Sequence, residues 1–240
     1  MQITRLLLIN QKITFKVLVI VLILATSQFG FSQAPKYSNE FLAIGVGARS
    51  LGMSNTTVAT VSDVTSTYWN PAGILSISNN LQIGVMHNEY FAGLANYDYG
   101  AVAAKIDDKS SFGISIYRFG VDNIPNTLEL IDNDGNIRYD RIKSFSVADY
   151  AFMASYARKS DKYVGLRYGA NIKIIRRVAG DFAAATGFGI DVGAQYTWQN
   201  WKFGFTGRDI TTTFNFWSFN NTELEEVFMK ITGRSILEGL

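Results

Sequence analysis

Between Tyr163 and Arg208 the chain alternates apolar and polar residues with a period of two. Val164, Leu166, Tyr168, Ala170, Ile172 and Ile174 interleave with Gly165, Arg167, Gly169, Asn171 and Lys173. Further on, Phe188, Ile190, Val192, Ala194, Tyr196 and Trp198 interleave with Gly187, Gly189, Asp191, Gly193, Gln195 and Thr197. After a Gln199-Asn200 turn, Trp201, Phe203 and Phe205 alternate with Lys202, Gly204, Thr206 and Arg208. Such spacing makes strands whose apolar side chains share one face and whose polar side chains share the other.

A soluble sandwich alternates too, so the solvent must be read from other features. The polar face carries Arg, Lys, Asn and Asp, and the apolar face ends in Tyr196, Trp198 and Trp201 around one turn. Aromatic residues at that position mark the interfacial girdle of a membrane barrel, and strands of about ten residues suit a tilted bilayer crossing. The expected fold class is all-β: an antiparallel transmembrane β-barrel. Ile172 and Val192 are expected to face lipid, and Asn171 and Asp191 the lumen. Arginine should then cost roughly 2–4 kcal/mol at a lipid-facing midplane position and much less at a lumen position.

Composition agrees. Only 18% of the 240 residues are charged and 14% are aromatic, yet mean hydropathy is just +0.07. A polar residue at every second position dilutes the hydrophobicity in this way. The net charge of +2 is scattered, which gives no basic stripe for nucleic acid. Without cysteine the chain has no disulfide, thiolate metal site, cysteine nucleophile or lipoprotein anchor. At the N-terminus Arg5, Lys12 and Lys16 precede the apolar run Val17–Ala25, too short for a permanent span. Residues 1–33 therefore read as a secretory signal peptide. Export and alternating strands together point to the outer membrane of a Gram-negative cell.

Residues 34–78 lack sustained alternation and are rich in small side chains. They read as a segment folded into the lumen ahead of a barrel over 79–240, a plug running from Phe41 to Gly73. Asn70-Pro71-Ala72-Gly73 carries a turn signal, expected to lead the chain from the plug into the first strand. Gly45-x-Gly47 is a poor phosphate loop, because its third glycine is displaced to Gly52 and no strand precedes it.

Phe41-Leu42-x-Ile44-Gly45-x-Gly47-Ala48-Arg49-x-Leu51-Gly52-Met53, followed by Tyr68-Trp69-Asn70-Pro71-Ala72-Gly73, resembles the PorV/PorQ family of Bacteroidota outer-membrane proteins. That family is related to FadL-type fatty-acid transporters, which share the Asn-Pro-Ala-Gly element. Ser54 stands where the family usually has glycine, and Val64 where a second acidic residue is common. The resemblance implies a FadL-like barrel with a part in type IX secretion or surface attachment of exported cargo. The alternative is FadL-like passage of a hydrophobic small molecule. Implied partners are outer-membrane lipid, other type IX components and exported cargo.

Turn chemistry places further strands. Leu81, Ile83 and Val85 alternate with Gln82, Gly84 and Met86; a Tyr/Ala/Gly-rich strand over 96–107 has no assignable facing. Asp107–Ser110 turns into Phe112, Ile114 and Ile116. After a long polar loop over 121–143, Tyr150, Phe152 and Tyr156 mark a strand that ends at the Lys159–Lys162 turn. The total is about seven, an odd number that suggests an incomplete barrel from a longer protein. Thr222-x-x-Glu225 opens a short helix through Ile231.

No residue set carries catalysis, a cofactor or a metal. His87 is the only histidine and lies on the apolar side of its strand, as a rim or packed residue. Asp107-Asp108 sits in a turn, and Asp132–Asn136 fails the calcium-loop pattern because Leu130 and Arg141 occupy the terminal ligand positions.

Overall fold

The structure is a computed structural model that describes residues 39–131, 135–211, 214–220, 222, 225 and 229. The leader over 1–33, Asp132–Asp134 and most of the Thr222–Ile231 helix lie outside the described residues. Eight antiparallel strands form one sheet: β1 (Leu81–Tyr90), β2 (Ala95–Lys105), β3 (Ser110–Asn126), β4 (Lys143–Lys159), β5 (Leu166–Ala179), β6 (Ala183–Trp198), β7 (Trp201–Gly207) and β8 (Phe214–Phe219). Each strand from β1 to β7 pairs with the next, and the sheet curls into a half-barrel. β8 pairs with β6 as β7 does, on a different stretch of it. Among the described residues seven lanes therefore hold eight strands, and the eighth was not legible because the alternation stops at Arg208.

The sheet is inside out relative to a soluble one. Ile172 is 63% exposed, while Asn171 and Lys173 beside it are each 1% exposed. Asp191 and Gln195 are buried as well, whereas Phe188, Tyr196, Trp198, Phe203 and Phe205 stand in the open. In water this would waste most of the hydrophobic driving force; in lipid the outer face costs nothing and the polar face must find partners inside. The outward rows give the apolar band two edges. One is polar, where His87 pairs with Asp98, Asp98 with Arg118, Arg118 with Tyr150 and Tyr150 with Arg176. The other is aromatic, where Trp198 faces Trp201. Among the described residues no helix is long and apolar enough to cross a membrane, which says nothing of strands.

Two readings need correction. β3 and β4 run 17 residues each, so the loop expected over 121–143 shrinks to 127–142. The pairing continues through an irregularity between Val121 and Ile124, with Asn123 at φ 58, which a periodicity search reads as a strand end. β2 now has a facing: Tyr97, Tyr99, Ala101 and Ala103 point inward and are buried.

Residues 39–77 lie on the polar face. They contain a 3₁₀ turn at Glu40–Ala43, α1 (Ala48–Gly52), α2 (Ser66–Trp69) and a 3₁₀ helix at Pro71–Ser76. Phe41, Val46, Tyr68, Trp69 and Ile74 form one core with Tyr97, Tyr99, Tyr117 and Met153 of the sheet.

Candidate functional site

The two motifs quoted above fold into one unit. The Trp69 indole donates from Nε1 to the Val46 carbonyl at 2.8 Å, and the Tyr68 hydroxyl donates to the Leu42 carbonyl. Gly45 sits at φ 93, and a Cβ there would lie 3.0 Å from the Trp69 ring. Its glycine is thus required by backbone conformation and by the indole beneath it. Val64 is buried, and a Cβ on Gly84 of β1 would lie 2.5 Å from it, so an acid at position 64 would enter an apolar contact.

Asn70 fastens this unit to the wall. Its Oδ1 accepts from Ala72 N at 3.1 Å and caps the Pro71–Ser76 helix, with Pro71 at the first helical position. Its Nδ2 donates to the carbonyls of Val58 at 2.9 Å, Ala194 at 3.0 Å and Phe205 at 3.2 Å. Asn-Pro-Ala-Gly therefore caps a short helix and grips β6 and β7; the expected turn into the first strand is made later, at residues 78–80. Gly193 of β6 leaves room for Asn70 and Pro71, and Gly204 of β7 admits the Ala59 backbone at 2.5 Å from where its Cβ would be.

Side chains on the polar face bond back to this segment. Gln195 Nε2 donates to Val58 O and Val61 O, both at 3.0 Å, and Thr206 donates to Trp69 O at 3.0 Å. Asn171 Nδ2 donates to Thr67 O at 2.9 Å, and the Arg167 guanidinium donates to Ser76 Oγ. Arg208 lies over the Tyr68 ring, 4.5 Å from its centre, and 5.5 Å from the centre of Trp69.

At the centre is a buried ion cluster. Lys173 Nζ lies 2.7 Å from Asp191 Oδ1 and 2.6 Å from Asp209 Oδ1, with all three side chains at 5% exposure or less. Asp209 sits at φ 49 in the break between β7 and β8, and its own N–H donates to Asp191 Oδ1 at 2.8 Å. The break is a bulge: from Val192 to Phe188 β6 takes four steps, while the facing lane takes seven from Gly207 to Phe214. The slack lets Asp209 dip inward to reach the lysine. Arg167, Asn171, Lys173 and Asp191 were all legible as polar-face residues; Asp209 was not, because it follows the last alternating pair.

A family model described as type IX secretion system protein PorV matches residues 33–219. The chain belongs to the PorV family. No curated protein matches it. The PorV match spans both motifs, the ion cluster and all eight strands. The other polar residues singled out in the sequence stand apart from this PorV-family ion cluster. His87 stands outward at the polar edge, 2.6 Å from Asp98 and 3.7 Å from Glu89. Asp107 Oδ1 accepts from the N–H groups of Lys109 and Ser110 at 2.7 and 2.6 Å, and the Ser110 hydroxyl, followed by these N–H groups, holds its carboxyl below the usual carboxylate range. Among the described residues no three His, Asp or Glu side chains are placed to hold a metal ion.

Proposed function

We propose that this type IX secretion protein is an outer-membrane wall carrying its own plug, exported by the leader over 1–33 and acting in the handling or surface attachment of exported cargo. Residues 34–78 are the plug and residues 79–240 the wall. The observation that carries this reading is the inverted burial of the strands. An exposed apolar face opposes a polar face whose Asn171, Gln195, Thr206 and Arg167 bond to the N-terminal segment and whose Lys173 and Asp191 pair with Asp209. Such an arrangement suits a protein that presents a closed surface to its partners and admits no free diffusion. The partners are outer-membrane lipid, other type IX components and exported cargo. Deleting the gene and assaying cargo secretion beside uptake of long-chain fatty acid tests the proposal. Loss of secretion with uptake intact is expected; the reverse would favour FadL-like transport of a hydrophobic small molecule.

A further inference from the structure

The outward face of β4–β7 is not flat. An open groove of about 460 Å³ runs between Tyr156, Tyr168 and Phe205, with Ala170, Val192 and Ala194 along it and Gly169 and Gly193 beneath. The register explains its shape. In one outward row Tyr156 faces Ala170 and Ala170 faces Val192; in the next Tyr168 faces Ala194 and Ala194 faces Phe205. Ala170 and Val192 beside Tyr156 in the first row, and Ala194 between Tyr168 and Phe205 in the second, leave a slot with an almost wholly apolar lining. Its size falls within the roughly 300–1,000 Å³ of ordinary ligand clefts.

The groove ends at a cation. Arg158 stands in the second row, directly opposite Tyr168, and its guanidinium interacts with the Tyr156 hydroxyl. Beyond it lie the β2–β3 and β4–β5 turns, with Lys105, Lys109, Lys159 and Lys162. Three acids answer these five bases, and two are already engaged. Asp107 holds its own turn, and Asp161 is shared between Lys109 at 2.5 Å and Arg158 at 3.4 Å. An apolar slot that opens onto excess positive charge, beside an aromatic edge, matches one amphiphile: a chain that is apolar along its length and anionic at its head.

We propose that this groove seats an acyl chain of an anionic phospholipid from the leaflet at the short-turn end, with Arg158 on its phosphate. The proposal rests on the membrane-spanning reading above. It assigns the turns a role in anchoring one lipid at one place on the wall, next to where Asn70 grips β6 and β7 from the other side.

The test uses the full-length protein in phosphatidylcholine bilayers containing a minor share of phosphatidylglycerol with a photoreactive group on one acyl chain. Peptides holding Tyr156, Tyr168 and Phe205 are expected to label several-fold above outward peptides holding Ile83 or Ile114. Ala194→Trp fills the groove and should bring that labelling to the level of the rest of the wall; Ala170→Phe does the same should the first variant fail to fold. Arg158→Glu should lower labelling by the phosphatidylglycerol probe and leave that by a phosphatidylcholine probe of the same chain unchanged. Even labelling of all outward peptides overturns the site and leaves the membrane reading standing. Labelling indifferent to Arg158→Glu overturns the headgroup assignment, and the proposal with it. No labelling anywhere on the outward face overturns the membrane reading itself.

Discussion

Ser54 adopts φ 53 and Asn55 φ 64, two consecutive left-handed residues after α1. A non-glycine residue there costs roughly 1–2 kcal/mol, partly offset by the extra freedom glycine has when unfolded. Ser54→Gly is therefore expected to stabilise the fold by about 0.5–1 kcal/mol in denaturant unfolding, and no gain would mean the strain is relieved locally. Lys173 makes the opposite case. Replacing it with Met leaves Asp191 and Asp209 facing each other without a cation in a dry site, and should cost about 3–5 kcal/mol. Neutralising both acids as well, in Lys173→Met/Asp191→Asn/Asp209→Asn, should recover part of that loss. If the triple variant is no more stable than the single one, packing rather than charge holds the cluster.

At the scale of elements, the short turns and the bulge are joined by single side chains. Asp161 of the β4–β5 turn bonds Lys109 of the β2–β3 turn, and the Lys109 carbonyl accepts from Lys159 N at 2.8 Å. The lysine holds the Asp161 carboxyl below the usual carboxylate range. A depressed folded value means the bridge contributes fully above the unfolded value of about 4 and loses its contribution as pH falls through the lower folded one. The stability gap between wild type and Asp161→Asn should accordingly close below about pH 4, and should shrink with salt because both groups are exposed. In the bulge, Ile210 N donates to Ile190 O at 3.0 Å next to the inward Asp209. Asp209→Asn should speed amide exchange over 208–211 and spare β7; an unchanged exchange rate would show that the backbone bonds alone fix the bulge.

For the whole molecule, the packed inner face revises the arginine test set out from the sequence. Arginine at Ile172 should still cost roughly 2–4 kcal/mol against lipid. Asn171 does not face a watery lumen: it is 1% exposed and donates to Thr67 O, so arginine there should cost about as much. The two penalties should part only when residues 39–77 are removed, with the Asn171 variant becoming the cheaper. The same deletion in the full-length protein should leave a wall that inserts and conducts ions in a planar bilayer. Equal conductance from the intact protein would show that the segment does not plug it.

The alternation from Leu166 to Gly207 determined the strands and which of Ile172 and Asn171 turns outward, because a period of two survives in any sheet. The two family motifs likewise marked a unit that the fold brings together. Facing in β2 needed the tertiary structure: its Tyr, Ala and Gly side chains give no polarity contrast, and Tyr97, Tyr99, Ala101 and Ala103 point inward, where Tyr68 and Val64 belong to the same core. The ion cluster needed it too. Lys173, Asp191 and Asp209 become neighbours only through the register of β5 on β6 and a three-residue bulge. Local sequence encodes period and turn; how far a chain must slip to neutralise a buried charge is set by what lies across the sheet.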